Sequence, residues 1–241
     1  MQLFYTALLL LFNSLVIQAV GHWFEPSFNL LANRGVGKII FMLLVVGHML
    51  WLARRASLEL NFHFKLKYFF GYFFVFFVLH MLMIILLNNL GSPEVSLKIL
   101  GSIALGFIAT FFLACAEEMI FRGILFRYFS QTLPIYLSIF LTSLIFMFSH
   151  NLSEGWRLGL GLFLLGVLLN LLFVSTKQLS ASIGAHAGLV FVKVILRRVH
   201  FVGYTPLDLR QNHWVHLIFL ILIIFLNEKR KNLAAVGVPL F

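Results

Sequence analysis

The feature that most restricts this chain is a succession of apolar runs of membrane-crossing length, separated by short polar connections. They cover approximately Leu3–Val20, Lys38–Ala53, Leu66–Asn88, Leu97–Phe129, Leu133–His150, Leu158–Thr176, Leu179–Leu196 and Trp214–Leu226. About 20 apolar residues in a helix cross the hydrocarbon core of a bilayer. Hydrophobic residues occupy 61% of the 241 positions and charged residues 11%, against about 45–50% and about 25% in soluble domains. Lipid is therefore the solvent for most of the chain. In lipid the backbone must satisfy its own hydrogen bonds, which leaves helices or closed barrels, and the alternation of barrel strands is missing. The expected fold is all-α: a polytopic transmembrane bundle of about eight helices, with no room for a separate soluble domain. All five prolines (Pro26, Pro93, Pro134, Pro206 and Pro239) fall in connections or at span starts, as unbroken helices require.

The net charge of +10 would suggest nucleic acid in a soluble protein. Here the basic residues cluster at span ends, as at Arg54, Arg55, Lys65 and Lys67 or at Lys229, Arg230 and Lys231. That placement points to anionic lipid as the partner and not nucleic acid, and sets orientation by the positive-inside rule. The Arg54–Lys67 connection and the basic tail after Leu226 belong inside, and the Asn89–Leu97 connection outside. Eight spans with both termini inside fit these three facts, although the Lys193–Arg210 connection then lies outside with four basic residues against Asp208. The expected location is the cell (plasma or inner) membrane, as a multi-pass protein. The amino-terminal run lacks a basic n-region and reads as a retained first span. A single cysteine, Cys115, excludes an internal disulfide and a cysteine-based zinc site.

Six of the eight acidic residues lie in connections or at span ends; Glu117 and Glu118 alone sit inside an apolar run, after eighteen uncharged residues from Ile99 to Ala116. A charge near the bilayer centre costs about 2.5–3.5 kcal/mol on insertion scales, so such residues are functional candidates. Arg122 follows Glu118 by four residues, the favourable order for an acid and a base on one helix. Glu117 points about 100° away and has no local partner, which leaves it available as a general base. The plainer reading is a buried ion pair that fixes helix packing; it accounts for Glu118 and Arg122 but not for Glu117. Two histidines stand out besides. His150 shares a helix face with Phe146, and His186 lies in Ser182-Ile-Gly184-Ala-His186-Ala-Gly188, where small residues permit close helix approach. His48 and His80 read as packing residues, and His22, His63, His200, His213 and His216 as interfacial ones.

The order Glu-Glu-x-x-Phe-Arg-Gly at Glu117–Gly123, Phe-x-x-x-His at Phe146–His150 and Ser-Ile-Gly-x-His-Ala-Gly at Ser182–Gly188 resembles the CPBP family, the CAAX proteases and bacteriocin-processing enzymes. The match runs from about Leu97 to Leu196. It divides the chain into amino-terminal transmembrane helices without a recognised motif (1–96), a CPBP-like catalytic core (97–196), and a last transmembrane helix with a basic tail (197–241). The resemblance implies an intramembrane endopeptidase acting on a membrane-associated protein or peptide. Its implied catalytic residues are Glu117 as the base that activates water, His150 holding that water, Glu118 tied by Arg122 in support, and His186 at the oxyanion. The family often carries Asn four residues after that histidine, where this chain has Val190. The resemblance leaves the cofactor open between none and a divalent metal such as zinc. A metal would be held by Glu117, His150 and His186, although the His-Glu-x-x-His spacing of zinc peptidases is absent.

Depth presents a difficulty. Glu117 stands about 16–18 Å from the inner end of its span and His186 about 10–12 Å from the inner end of the seventh, while His150 closes the outer end of the fifth. Their convergence requires tilt, a deeper start of the fifth helix, or another topology. Two other functions use the same residues: a proton-coupled transporter, and a non-catalytic immunity or scaffold protein in which Glu117 is dispensable.

Overall fold

A computed structural model describes residues 64–88, 93–94, 97–150, 156–198 and 200–201, together with Gly47, Trp51 and Arg54. The runs Leu3–Val20 and Trp214–Leu226 lie outside the described residues, and Lys38–Ala53 is described only at Gly47 and Trp51. The described residues are helical apart from one short pairing. In chain order they form α1 (Leu66–Asn88), β1 (Pro93–Glu94), α2 (Leu97–Glu118), a π-helical segment (Met119–Phe126), α3 (Arg127–Thr132), α4 (Ile135–Phe148), α5 (Trp156–Thr176), α6 (Leu179–Arg198) and β2 (His200–Phe201). The two-residue strands pair antiparallel, Pro93 opposite Phe201 and Glu94 opposite His200. This pairing ties the connection before α2 to the end of α6.

Among the described residues four helical stretches are long and apolar enough to cross a bilayer: Leu66–Leu86, Ile99–Thr132, Leu158–Thr176 and Leu179–Leu196. The run Leu133–His150, expected as a fifth span of the same kind, forms instead the fourteen-residue α4. At 1.5 Å per residue that helix covers about 21 Å, short of the roughly 30 Å hydrocarbon core. Pro134 sets its start. Leu133 is extended (φ −122°, ψ 154°), as a residue before proline must be, and Pro134 begins the helix where its missing N–H leaves no bond unmade. The α5–α6 link is equally tight. Lys177 adopts a left-handed conformation at φ 55°, its N–H closes on the Phe173 carbonyl at 2.8 Å, and the Gln178 N–H reaches Thr176 Oγ1 at 3.2 Å.

Helices α1 and α6 approach to backbone contact through Gly184 and Gly188. A Cβ on Gly184 would overlap the Phe69 carbonyl oxygen, and one on Gly188 would stand 2.5 Å from the Phe73 carbonyl oxygen and 3.1 Å from the Phe77 nitrogen. The pairs 69–184 and 73–188 advance together, so the two helices run parallel. A Phe cluster seals the seam with α2: Phe73 meets Phe107 edge-on at 5.4 Å, and Phe107 meets Phe191 at 5.3 Å. Because backbone cannot rotate away as a side chain can, Gly184→Ala and Gly188→Ala are each expected to destabilise the bundle by about 1–3 kcal/mol. Gly71→Ala, where an added Cβ meets nothing within 4 Å, is expected to be neutral or slightly stabilising. Unfolding midpoints of the three variants in detergent check both statements.

Candidate active site

Glu117 and Glu118 close α2, immediately before the π-helical segment. Such segments are uncommon and gather at functional sites; here seven successive residues, Ile120–Phe126, are buried. Glu118 is fully buried. Its Oε1 accepts from Arg122 Nη1 at 2.8 Å and from His186 Nδ1 at 2.9 Å. The pairing of Glu118 with Arg122, expected from their spacing, is thus present, and a second partner arrives from a residue 68 positions away. Arg122, also fully buried, donates through Nη2 to the Gly166 carbonyl at 2.9 Å, and its guanidinium lies 5.1 Å from the Phe146 ring centre. One side chain therefore links the π segment, α4 and α5.

Glu117 faces the other way, as a 100° step predicts. Its Oε2 stands 3.8 Å from His150 Nε2 and 3.7 Å from His186 Nε2, and that atom has no hydrogen-bond partner. These separations exceed a direct hydrogen bond and suit one bridging water. The other nitrogen of each ring is committed. His150 Nδ1 lies 2.8 Å from the Phe146 carbonyl, which can only accept, so Nδ1 carries the proton. His186 Nδ1 faces the Glu118 carboxylate in the same way. Both Nε2 atoms are thereby the free positions aimed at Glu117, by assignment from their partners. His150 is the open side of the group, with 30% of its side chain exposed against 4% for His186 and 13% for Glu117.

The depth difficulty resolves in the shortness of α4. Glu117 stands fifteen residues before Thr132 and His150 fifteen residues after Ile135, on helices joined by a two-residue turn. The contact of Phe121 with Phe146, at 4.9 Å between ring centres, repeats this symmetry at eleven residues on each side. Glu117, Glu118, Arg122, His150 and His186 are accordingly one group. Val190, one turn beyond His186, is partly buried. Ligands placed tetrahedrally at about 2.0–2.1 Å around zinc lie roughly 3.3 Å apart, closer than the distances from Glu117 to either imidazole. Among the described residues no set of three or more His, Cys, Asp or Glu side chains is arranged to hold a metal ion.

Three further participants are not among the site residues expected from the sequence. Phe146, fully buried, lies against Phe121, His150, His186 and Arg122, although only its shared face with His150 was legible. The Gly166 carbonyl is a backbone atom and leaves no signature. Asn170 was readable: it is a lone amide in an apolar run, fully buried, and donates to Ser143 Oγ at 3.1 Å. That bond joins α5 to α4, the helix that His150 follows by two residues.

No curated protein and no solved structure matches the chain. Residues 99–192, the segment that carries every residue of the site, match the family model described as type II CAAX prenyl endopeptidase Rce1-like. The CPBP resemblance of the three motifs is borne out over that segment, which is similar to the Rce1-like endopeptidases and includes helices long and apolar enough to cross a membrane.

Proposed function

We propose that this chain is an intramembrane endopeptidase that hydrolyses a peptide bond near the carboxyl end of a prenylated, membrane-associated protein. The substrate class follows the description of the matching family. The observation that carries the reading is the Glu117 oxygen, without a hydrogen-bond partner of its own and facing two imidazole nitrogens at water-bridging distance. The cell membrane is the proposed location.

Glu117 takes a proton from the bridging water as the water oxygen adds to the substrate carbonyl carbon, while His150 Nε2 accepts the second water hydrogen. The carbonyl electron pair moves to oxygen, where a protonated His186 presents Nε2–H. Charge balance supports that protonation. Two carboxylates and one guanidinium leave one unmatched negative charge in lipid, and a second proton on His186, at Nε2 while Nδ1–H stays on Glu118, cancels it. Collapse breaks the C–N bond, and the Glu117 carboxylic acid returns its proton to the leaving nitrogen.

The test is cleavage of a prenyl-cysteine reporter peptide by the purified chain in lipid vesicles. His150→Ala is expected to lower turnover about ten- to hundredfold, since it removes one hydrogen bond to the reacting water. Dialysis against a chelator is expected to leave turnover unchanged. Loss that zinc restores would instead place a metal between Glu117 and the imidazoles.

A further inference from the structure

Helix α4 ends two residues before His150, so its depth beside α5 decides where the His150 ring arrives. Lipid gives apolar helices no hydrophobic reason to prefer one axial alignment, and close packing and hydrogen bonds set it instead. Two contacts do so here, both among fully buried Ser143 and Asn170 and the glycine one turn before Asn170. Gly166 admits Ser143 so closely that an added Cβ would stand 2.9 Å from the Ser143 Cα. Asn170 Nδ2 donates to Ser143 Oγ at 3.1 Å and lies 3.4 Å from the Ile139 carbonyl. Ser143 spends its own hydroxyl proton on that same carbonyl at 2.7 Å, which leaves Oγ as the acceptor for the amide. The pairs 166–143 and 170–139 advance in opposite directions, as antiparallel helices require.

The plain account is a polar clasp that only holds two helices together. Its energetics argue otherwise. Asn170 Oδ1 is buried without a hydrogen-bond partner among the described residues, and an unmatched buried acceptor costs about as much as one amide hydrogen bond returns. The clasp therefore adds little net stability, and an apolar side chain of similar volume would fill the place without that cost. What the amide supplies is a single register, because slid alignments leave it with no bond at all. Its neighbour one turn away matters as much. The Gly166 carbonyl accepts from Arg122 Nη2 at 2.9 Å, and Arg122 Nη1 holds Glu118 at 2.8 Å. Helix α5 carries none of Glu117, Glu118, Arg122, His150 and His186, yet one of its turns anchors both arms of the site: the carboxylate arm through Gly166 and the His150 arm through Asn170.

We propose that Asn170 is a positioning residue that sets the depth of α4 and so the separation of His150 Nε2 from Glu117 Oε2, which is 3.8 Å. Ser143 stands seven residues, two helical turns, before His150, and a slip at the clasp is carried to the ring along the helix. Misplacement by about 1 Å is enough to cost about a hundredfold in rate. Asn170 acts through His150 and not on the water itself. The inference rests on the protease reading and adds to it the residue that aligns one of its parts.

The experiment measures kcat, KM and unfolding midpoint for the whole chain in lipid vesicles with the prenyl-cysteine reporter. Asn170→Leu is expected to lower kcat about tenfold, with KM and midpoint close to those of the parent chain. In a His150→Ala background the same change is expected to cost no more than about twofold, since the ring it would misplace is gone. Ser143→Ala removes the acceptor on α4 and tests the bond from the other side, even if Asn170→Leu fails to fold. It should give a smaller loss of kcat that also vanishes in the His150→Ala background. Unchanged kcat in both variants overturns the proposal, as does a loss expressed in KM. A loss that multiplies with that of His150→Ala overturns it too, because general loosening of the bundle would behave in that way. Failure of the parent chain to cleave the reporter sinks the protease reading and this inference together, whereas cleavage at parental kcat in both variants sinks this inference alone.

Discussion

Glu117→Gln is expected to lower reporter turnover by about 10²–10⁴-fold, with helix content and unfolding midpoint close to those of the parent chain. Glutamine keeps the shape of the side chain and cannot accept the water proton. Stability should hardly move, because the Glu117 oxygen that faces the imidazoles has no hydrogen-bond partner to lose. Glu117→Asp keeps the carboxylate but withdraws it by one methylene from both Nε2 atoms, so an intermediate loss is expected. The glutamine variant also separates the competing functions. A scaffold would keep its partner interactions in that variant, and a proton-coupled transporter would lose transport without ever having cleaved the reporter. Full proteolytic activity in Glu117→Gln would remove Glu117 from the role of base.

Much of this site was legible because lipid makes polar letters informative. In the run from Ile99 to Thr132 a Glu-Glu pair cannot be an accident of a solvated surface, and the four-residue step to Arg122 forecast the ion pair found at 2.8 Å. The run Leu66–Asn88 coincides with α1 at both ends, since hydropathy and helix length agree there. Where the sequence failed, the deciding atoms were remote or lay on the backbone. Glu118 meets His186 across 68 positions, a contact that only the packing of α2 against α6 creates. The π-helical turn at Met119–Phe126 is invisible to a pattern that assumes 3.6 residues per turn. Leu133–His150 read as a full span because its residues are apolar, and only the start at Pro134 and the end at Phe148 reveal a helix too short to cross. His80 read as packing and is completely buried, but that neither ring nitrogen finds a hydrogen-bond partner among the described residues was not predictable from its neighbours.

Arg122→Met is expected to destabilise the bundle by about 3–5 kcal/mol, the usual cost of stripping one partner from a buried ion pair. Arg122 and Glu118 are both fully buried, so water cannot replace the lost guanidinium. The Gly166 carbonyl loses its donor, and Phe146 loses the cation beside its ring. Arg122→Lys should fall between, because an ammonium restores charge but not the planar fork that reaches Glu118 and Gly166 together. The informative variant is the pair Arg122→Met with Glu118→Gln. Removing both charges also removes the desolvation cost of the stranded carboxylate, so the pair should recover at least half of the stability that the single change loses. Activity should not recover, because a glutamine at position 118 no longer supplies a carboxylate to His186 Nδ1 and the oxyanion then faces a neutral imidazole. Unfolding in detergent, measured beside turnover in vesicles, resolves the two effects. A double variant as unstable as Arg122→Met would locate the damage in lost packing, and one that regained turnover would free His186 from dependence on Glu118.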